Sequence, residues 1–246
     1  MILEMNLPKV KGLFITGTDT GVGKTIVAGG IAKVLAQKGH RVGVFKPVSS
    51  GCVHQYEGLV NVDASFLRTC SGCDFELSAI NPVGYVTPAA PFVCEEHENR
   101  FVDFELIAQA YRKICAKSNI MIVEGIGGVR VPISRNTDLL DLARQFDLPV
   151  VVVTRPNLGT INHTLLTIDA VRNAGLDLAG VVISGYDATN ATLAEETLPG
   201  ILEEWGQVPV LSIVPFDGET DIDNNRIGQL TLEELQDCDW IHLAEH

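Results

Sequence analysis

The sequence lacks the features that mark membrane, secreted or repeat proteins. No apolar run approaches the roughly 20 residues that cross a bilayer, and residues 1–11 lack the charged-then-apolar order of a secretory signal. There is also no internal repeat, no low-complexity segment and no linker that would divide the chain. We therefore expect one globular domain of 246 residues with a short N-terminal extension (1–10), in a cytoplasmic protein that does not bind membranes.

Basic residues are scarce. The chain has 18 lysines and arginines against 31 aspartates and glutamates, a formal net charge of −13. A field of this sign repels nucleic acid and anionic lipid, so we expect no nucleic-acid partner. An anionic substrate must then be held by local cations, and Lys24 and Lys46 are the candidates.

Cysteines are too few for a disulfide scaffold, with six in the chain, and a reducing compartment would keep them as thiols. One spacing leaves a zinc site open, because Cys70-x-x-Cys73 is followed by Cys94-x-x-His97. Small residues in loops and at helix ends would give the same pattern without a metal, and we favour that interpretation.

The strongest local signal is a glycine-rich stretch between an apolar run and a helical pattern: Gly17-Thr18-Asp19-Thr20-Gly21-Val22-Gly23-Lys24-Thr25. Glycines permit a tight turn with inward-pointing N–H groups, and the helix N-terminus adds a partial positive charge. Lys24 suits the outer phosphates and the Thr25 hydroxyl suits Mg²⁺. The stretch predicts a nucleotide site, although Gly-x5-Gly-Lys-Thr is one residue longer than the common phosphate loop.

The apolar runs predict a doubly wound, mostly parallel β-sheet flanked by helices, an α/β fold, because they alternate with helical patterns and the later ones are continuous. The predicted strands are Lys11–Gly17, Arg41–Lys46, Ile120–Val123, Val150–Val153, Ala179–Ile183 and Val208–Val214. The predicted helices are Thr25–Lys38, Asp63–Thr69, Asp103–Ala116, Leu139–Phe146, Asn162–Asn173 and Leu193–Trp205. We expect a functional loop over Pro47–Asn61 and a lid or insertion over Cys73–Asn99.

Ligands of such sheets bind beyond the carboxyl ends of the strands, so residues that follow strands are candidates for function. Glu124 ends an apolar strand, where an unpaired carboxylate is costly and a partner is implied. With Thr25 and Asp63 it would give Mg²⁺ oxygen ligands. A salt bridge at the sheet edge for Glu124 and a helix cap for Asp63 remain the alternatives.

Two more strand ends suggest sites. Lys46 would project into the crevice that holds Lys24, where two lysines suit the charge that develops in phosphoryl transfer; the alternative is a surface lysine. Ser50 either donates to a substrate oxygen or shapes the turn. Gly159–Asn162 precedes a helical pattern and is either a second anion site, fit for a carboxylate, or a plain capping loop.

Together these motifs resemble the dethiobiotin synthetase family. Four segments occur in the family's order, from about Lys11 to beyond Phe216. They are the glycine-rich stretch Gly17–Thr25, which we call the phosphate cradle, Lys46-Pro47-Val48-Ser49-Ser50-Gly51, Glu124-Gly125-Ile126-Gly127-Gly128 with Pro132, and Leu158–His163. The resemblance implies a P-loop NTPase architecture and a homodimeric ATP-dependent cyclo-ligase of biotin synthesis. It would convert 7,8-diaminopelargonate, CO2 and ATP to dethiobiotin, ADP and phosphate. A carbamate would form on one amine, ATP would phosphorylate it, and the second amine would close the ureido ring.

The resemblance also implies roles by position. Lys46, Lys24 and Ser50 would be catalytic, and Thr25, Asp63 and Glu124 would hold Mg²⁺. The substrate would meet Lys46, Ser50, Gly127, Gly128 and, across the dimer interface, Gly159, Thr160 and Asn162. The nucleotide would meet Thr20, Gly21, Val22, Gly23, Lys24, Thr25, Ile26, Asp63, Glu124, Gly125, Ile126, Gly127, Ser184, Gly185, Pro215, Phe216 and Asp217.

One position departs from the family. Ser184-Gly185 stands where the family commonly has Asn-Asp, and serine cannot make the paired amide contact that asparagine offers a base. We expect weaker discrimination for ATP, or base contacts shifted to the backbone near Pro215, Phe216 and Asp217.

The alternative function is a nucleotide-switched partitioning or positioning ATPase of the same superfamily. The phosphate loop of those proteins has an additional lysine, which Thr18–Val22 lacks. Those proteins also need basic or amphipathic docking surfaces, which this acidic sequence does not show. An amidotransferase-type cobyrinate synthetase domain is a nearer enzymatic alternative, but no glutaminase half is evident.

Overall fold

The central element is a six-stranded parallel sheet, seen in a computed structural model that describes residues 3–245. The elements are β1 (Gly12–Gly17), α1 (Lys24–Gln37), β2 (Val42–Phe45), β3 (Val48–Ser49), β4 (Val53–Gln55), β5 (Gly58–Val60), α2 (Val62–Ser71), α3 (Leu77–Ile80), β6 (Val83–Gly84), α4 (Pro91–Glu98), α5 (Phe104–Cys115), β7 (Ile120–Gly128), β8 (Pro132–Ser134), β9 (Thr137–Asp138), α6 (Leu139–Phe146), β10 (Val150–Thr154), α7 (Thr160–Asn173), β11 (Leu178–Tyr186), α8 (Leu193–Gly206), β12 (Val210–Pro215), α9 (Gln229–Gln236) and α10 (Trp240–Leu243). The sheet order is β12-β11-β10-β1-β7-β2.

The strands in the middle of the sheet are buried on both faces. All six residues of β1 and all five of β10 are buried, as continuous apolar strands beneath two helical layers should be. The strand order reverses between β1, which lies beside β10, and β7, which separates it from β2. Ligands of doubly wound folds bind at the carboxyl ends near such a reversal.

Helix α1 is packed closely from two sides because two glycines let its neighbours approach. A side chain at Gly29 would overlap Phe66 of α2, and one at Gly30 would overlap Leu235 of α9. Elsewhere in the core, an aromatic cluster joins the sheet to α5 and α6, with ring centroids 4.9–6.0 Å apart. Its members are Phe14, Phe45, Tyr111 and Phe146. The two glycines thus let α1, the helix that follows the phosphate cradle, pack directly on α2 and α9.

The predicted fold is confirmed, and the six predicted strands all lie in the sheet. Helix α6 has its predicted bounds, whereas α7 begins at Thr160, two residues before the prediction. The expected loop Pro47–Asn61 contains β3 and the β4–β5 hairpin, which its serine and glycine content hid. A second hairpin, β8–β9, was also missed.

The Cys73–Asn99 segment, which we call the insertion, has secondary structure of its own. It contains α3, β6 and α4, and β6 pairs with β3 in parallel. The four residues of the zinc-like spacing, Cys70, Cys73, Cys94 and His97, do not converge: Cys94 Sγ donates to the Thr87 carbonyl at 3.2 Å, and Cys70 packs against Gly29. Residues 3–245 contain no cluster of three or more His, Cys, Asp or Glu side chains that could hold a metal.

Within 3–245, no helix combines the length and the apolar character that a bilayer crossing requires.

Candidate active site

A cleft of about 630 Å³ opens at the carboxyl ends of β1, β2 and β7. Its walls combine the glycine-rich loop, the segment from Lys46 to Ser50, the start of α2 and part of the insertion. The lining residues are Thr20, Gly21, Gly23, Lys24, Thr25, Ile26, Lys46, Ser49, Ser50, Asn61, Asp63, Pro88, Ala89, Ala90, Glu124, Ile126, Gly127, Val131 and Ile222. Most residues predicted for phosphate, metal and carbamate binding are thus brought together.

The glycine-rich loop has the shape of a phosphate cradle. Gly21 and Gly23 have φ of 71° and 99°, in the left-handed region that glycine adopts without strain. The loop starts with a hydrogen bond from the Thr18 amide to the Val153 carbonyl at 3.0 Å. Lys24 Nζ, in turn, donates to the Asp19 carbonyl at 2.7 Å and closes the loop from inside. Burial lowers the pKa of Lys24 to about 8.

Lys46 lies between two carboxylates. Its ammonium is 2.7 Å from Asp63 Oδ2 and 2.7 Å from Glu124 Oε1, and it donates to the Gly125 carbonyl at 3.3 Å. Lys46 is only 2% exposed, which excludes the surface-lysine interpretation. Burial alone would lower its pKa, but the charges of Glu124 and Asp63 outweigh burial and raise it above the usual lysine range. Lys46 is therefore a fixed positive charge.

The oxygens of Thr25, Asp63 and Glu124 meet around this ammonium. The Thr25 hydroxyl donates to Glu124 Oε1 at 2.9 Å, and Glu124 Oε2 is buried with no hydrogen-bond partner. Burial raises the pKa of Glu124. Asp63 is not the helix cap, because Asn61 Oδ1 accepts the Ala64 amide instead at 3.3 Å. Hard oxygen donors with one unpaired carboxylate oxygen suit Mg²⁺.

The insertion fixes the backbone at Lys46, a contribution that the sequence interpretation missed. Asn81 Nδ2 donates to the Lys46 carbonyl at 2.8 Å, and Asn81 Oδ1 accepts the Ser49 hydroxyl at 2.6 Å. The Lys46 amide donates to the Ile80 carbonyl at 2.8 Å. Asn81 precedes a proline in a segment without periodicity, so no local pattern identified it. Ser50, half-buried, follows this fixed stretch at the rim of the cleft.

The end of β7, from Gly125 to Gly128, forms the floor of the cleft. The Gly125 carbonyl points to Lys46, and Gly127 has φ of 60°. A side chain at Gly128 would lie 3.4 Å from the Thr18 carbonyl. Val22 is not in the wall: it is buried beneath the loop against Gly17. Gly127 and Gly128 lie closest to the cradle, and a side chain at Gly127 would be 3.5 Å from Thr20 Oγ1.

The predicted carboxylate site lies away from this cleft. Thr160 lines a smaller cavity of about 110 Å³ behind the cradle, together with Arg155 and His163. The Thr160 hydroxyl is bonded to Thr154 Oγ1 at 2.6 Å, while Gly159 and Asn162 are exposed. The start of α7 therefore borders a different cavity from the one that Lys46 and Glu124 line.

The predicted base-binding rim, at the ends of β11 and β12, offers few free polar groups. Ser184 is buried, and its hydroxyl packs so closely on Gly23 that a side chain there would overlap it. Gly185 is exposed with φ of 85°. The Phe216 amide donates to the Tyr186 carbonyl at 2.9 Å, and the Phe216 side chain is 73% exposed.

Asp217 has its side chain turned inward. One carboxylate oxygen accepts the Thr231 amide at 3.0 Å and its hydroxyl at 3.1 Å, and the other accepts the Glu219 amide at 3.0 Å. Its carboxylate thus joins the loop after β12 to the first turn of α9. Of the predicted rim residues, Pro215 and Phe216 present mainly apolar surface.

Comparison with known proteins identifies the family. A protein-family model described as an AAA domain matches residues 11–223. The chain is 37% identical over 231 residues to the ATP-dependent dethiobiotin synthetase BioD of Thermodesulfovibrio yellowstonii, over 91% of this chain and 95% of the relative. It is 40% identical to the protein of the same name from a Bacillus cereus strain, over 95% of this chain and 91% of that one.

Solved structures show the fold at greater distance. The MinC:MinD cell division protein complex of Aquifex aeolicus matches with a TM-score of 0.55 at 14% identity, over 96% of this chain and 95% of that chain. A putative plasmid partition protein of Borrelia burgdorferi bound to AMPPNP matches with a TM-score of 0.52, also at 14% identity, over 97% and 96%. At such identity the likeness concerns the fold alone, whereas the sequence relatives cover nearly the whole chain. The chain belongs to the ATP-dependent dethiobiotin synthetase family.

Proposed function

We propose that the cleft joins 7,8-diaminopelargonate, CO2 and ATP into dethiobiotin, with release of ADP and phosphate. The observation that carries this proposal is the buried ammonium of Lys46, 2.7 Å from two carboxylates beside the phosphate cradle. Phosphoryl transfer to a carbamate brings several negative charges together, and fixed positive charge in a site shielded from water stabilises that arrangement.

The cradle would hold the nucleotide phosphates through its backbone N–H groups and Lys24. In the structure Lys24 donates to the Asp19 carbonyl, so its ammonium already lies inside the loop. A phosphate would offer Lys24 a stronger acceptor than a neutral carbonyl. Its lowered pKa would return upward beside that negative charge.

Mg²⁺ would be held by Thr25, Asp63 and Glu124, and when bound it would neutralise phosphate charge. These residues fit the ion because their oxygens are hard donors and Glu124 Oε2 is without a partner. The same two carboxylates hold Lys46 in the structure. Sharing them with a cation would leave Lys46 freer to contact the carbamate.

Lys46 would act as a charge and not as a base. Its raised pKa keeps it protonated at neutral pH, so it can attract carbamate and transferring phosphoryl oxygens but cannot accept a proton from the amine. Ser50 and the glycines Gly127 and Gly128 would border the carbamate end of the substrate. The ring-closing amine would then displace phosphate from the carbamic–phosphoric anhydride.

A homodimer would explain the position of the second anion site. Gly159 and Asn162 are exposed and Thr160 lines a separate cavity, so this loop would receive the distal carboxylate of a substrate held by the other subunit.

We also place the protein in the cytoplasm, since all six cysteines are free thiols, which a reducing compartment maintains.

The direct experiment supplies diaminopelargonate, bicarbonate and Mg-ATP and follows dethiobiotin by mass. We expect product in step with ADP, and none without the diamine. ATP hydrolysis without dethiobiotin, with ATP-dependent binding to DNA or lipid vesicles, would favour the nucleotide-switched ATPase instead.

A further inference from the structure

Arg155, which directly follows β10, contacts the phosphate cradle from outside. Its Nη2 donates to the Thr20 carbonyl at 2.8 Å, and a side chain at Gly21 would lie 3.7 Å from the same nitrogen. The arginine is exposed. In the described part of the chain it forms no ion pair with a carboxylate, unlike Arg68, Arg112 or Arg144.

Two adjacent carbonyls of the loop are thus held by cations from opposite sides. Lys24 donates to the Asp19 carbonyl from within, at 2.7 Å, and Arg155 donates to the Thr20 carbonyl from without. If Lys24 turns to a phosphate, two side-chain contacts still hold this turn: the Arg155 bond at 2.8 Å and the bond from the Thr20 amide to Asp19 Oδ1 at 2.7 Å. Of the two, the Arg155 bond joins the turn to another segment of the chain. The turn needs fixing because it belongs to a loop one residue longer than the common pattern and leads into Gly21, whose φ is 71°.

The guanidinium also adds positive charge where the chain has little. The formal net charge is −13, and a guanidinium without a carboxylate partner is not neutralised by a neighbouring charge.

We propose that Arg155 is a positioning residue for the nucleotide. It holds the Thr20–Gly21 turn in the shape that directs the loop N–H groups at the phosphates, and its charge favours their binding. The inference rests on the proposed use of the cradle for ATP, but it does not depend on which product the enzyme makes.

The test is the affinity for Mg-ATP, measured by calorimetry on Arg155→Ala, Arg155→Lys and Arg155→Gln. Loss of a charge-assisted hydrogen bond predicts a dissociation constant roughly tenfold higher for Arg155→Ala. Arg155→Lys should recover most of the loss because it keeps both a donor and the charge, and Arg155→Gln should recover less. An unchanged affinity in Arg155→Ala would overturn the proposal.

Arg41→Ala is the matched control. Arg41 is also exposed and also donates to a carbonyl, that of Lys117 at 3.2 Å, but it precedes β2 at the opposite end of the sheet. Its loss should leave the Mg-ATP affinity unchanged. In steady state, Arg155→Ala should raise KM for ATP and leave kcat at saturating ATP nearly unaltered; a fall in kcat with KM for ATP unchanged would overturn the positioning role. Because calorimetry needs no turnover, it remains informative if dethiobiotin is not the product.

Discussion

The two ends of the proposed nucleotide site are built in opposite ways. At the reaction end, Lys46, Glu124, Thr25 and Asp63 are joined by bonds of 2.7–2.9 Å, and Glu124 is 0% exposed. At the base end, Ser184 is turned against Gly23, and the Asp217 carboxylate serves α9. The polar groups of the first region are aimed into the cleft, whereas those of the second are used within the fold.

This contrast indicates where the free energy of binding is used. Charged groups arranged before the substrate arrives need no reorganisation during the reaction. Selection among bases, by contrast, requires free donors and acceptors that would be left unpaired by the wrong base. The rim of this chain has an exposed Phe216 ring, which offers a stacking surface to any base. We therefore expect strict chemistry and relaxed base selection.

The largest expected effect is that of Lys46→Ala. Removal of the ammonium should lower kcat by roughly 10²–10³-fold, the usual cost of losing one preorganised stabilising group, with much of the nucleotide affinity kept. Single-turnover rates and Mg-ATP affinity measure the two parts. Because the variant leaves Asp63 and Glu124 facing each other, its unfolding should be followed with and without Mg²⁺. Lys46→Met should show the same loss of kcat. Normal turnover in either folded variant would contradict the role.

A smaller effect is expected from Glu124→Gln, which keeps the size but removes the charge. The Mg²⁺ concentration for half-maximal rate should rise at least about tenfold, since even second-sphere changes cost about 10–100-fold in metal affinity. Glu95→Gln is the matched control, another buried glutamate, whose carboxylate accepts the Val102 amide at 2.7 Å. An unaltered Mg²⁺ requirement in Glu124→Gln would exclude this residue as a ligand.

The smallest effect concerns the rim. Asp217→Asn should lower the free energy of unfolding by about 2 kcal/mol at neutral pH, because hydrogen bonds to a charged carboxylate are lost. Burial would raise the pKa of Asp217, but the bonds from Thr231 and Glu219 outweigh it and hold the pKa below the usual range. A depressed pKa gives stability that is complete above about pH 4 and is lost as the pH falls.

Denaturant unfolding of Asp217→Asn at several pH values measures this effect. The gap between the variant and the unmodified protein should close as the pH falls through the acid range. Asp187→Asn, at a fully exposed carboxylate whose pKa is also lowered by local hydrogen bonds, should show a smaller change. A gap for Asp217→Asn that widened towards acid would show that its carboxylate does not stabilise the fold.

The same contrast marks what the sequence could predict. Glu124 and Lys46 follow apolar strands, where a charge needs a partner, so their convergence could be inferred from parallel topology. Asn81 and Arg155 act through backbone carbonyls of distant segments, and such bonds leave no spacing or periodicity. The hairpins β4–β5 and β8–β9 escaped for a related reason, since strands of two or three residues show no alternation.

Base selection at the rim shows more clearly what could not be predicted from the sequence. The departure Ser184-Gly185 was visible in the sequence, but the inward turn of Ser184 and the use of the Asp217 carboxylate by Thr231 were not. Both depend on packing between segments far apart in the chain, such as the cradle with β11 and the β12 loop with α9. The two side chains that could have replaced asparagine are thus used within the fold. Weak base discrimination, or base contacts from the backbone near Pro215, Phe216 and Asp217, stays a prediction.

The most direct measurement compares dethiobiotin formation from ATP and from CTP, each below saturation, by the protein and by its Lys46→Ala variant. The protein should use both nucleotides with kcat/KM values that differ by less than roughly tenfold, since a rim with few free polar side chains cannot reject the wrong base strongly. The variant should turn over neither nucleotide at a comparable rate while still binding both. Strict preference for ATP, or turnover by Lys46→Ala at the rate of the unmodified protein, would contradict the account.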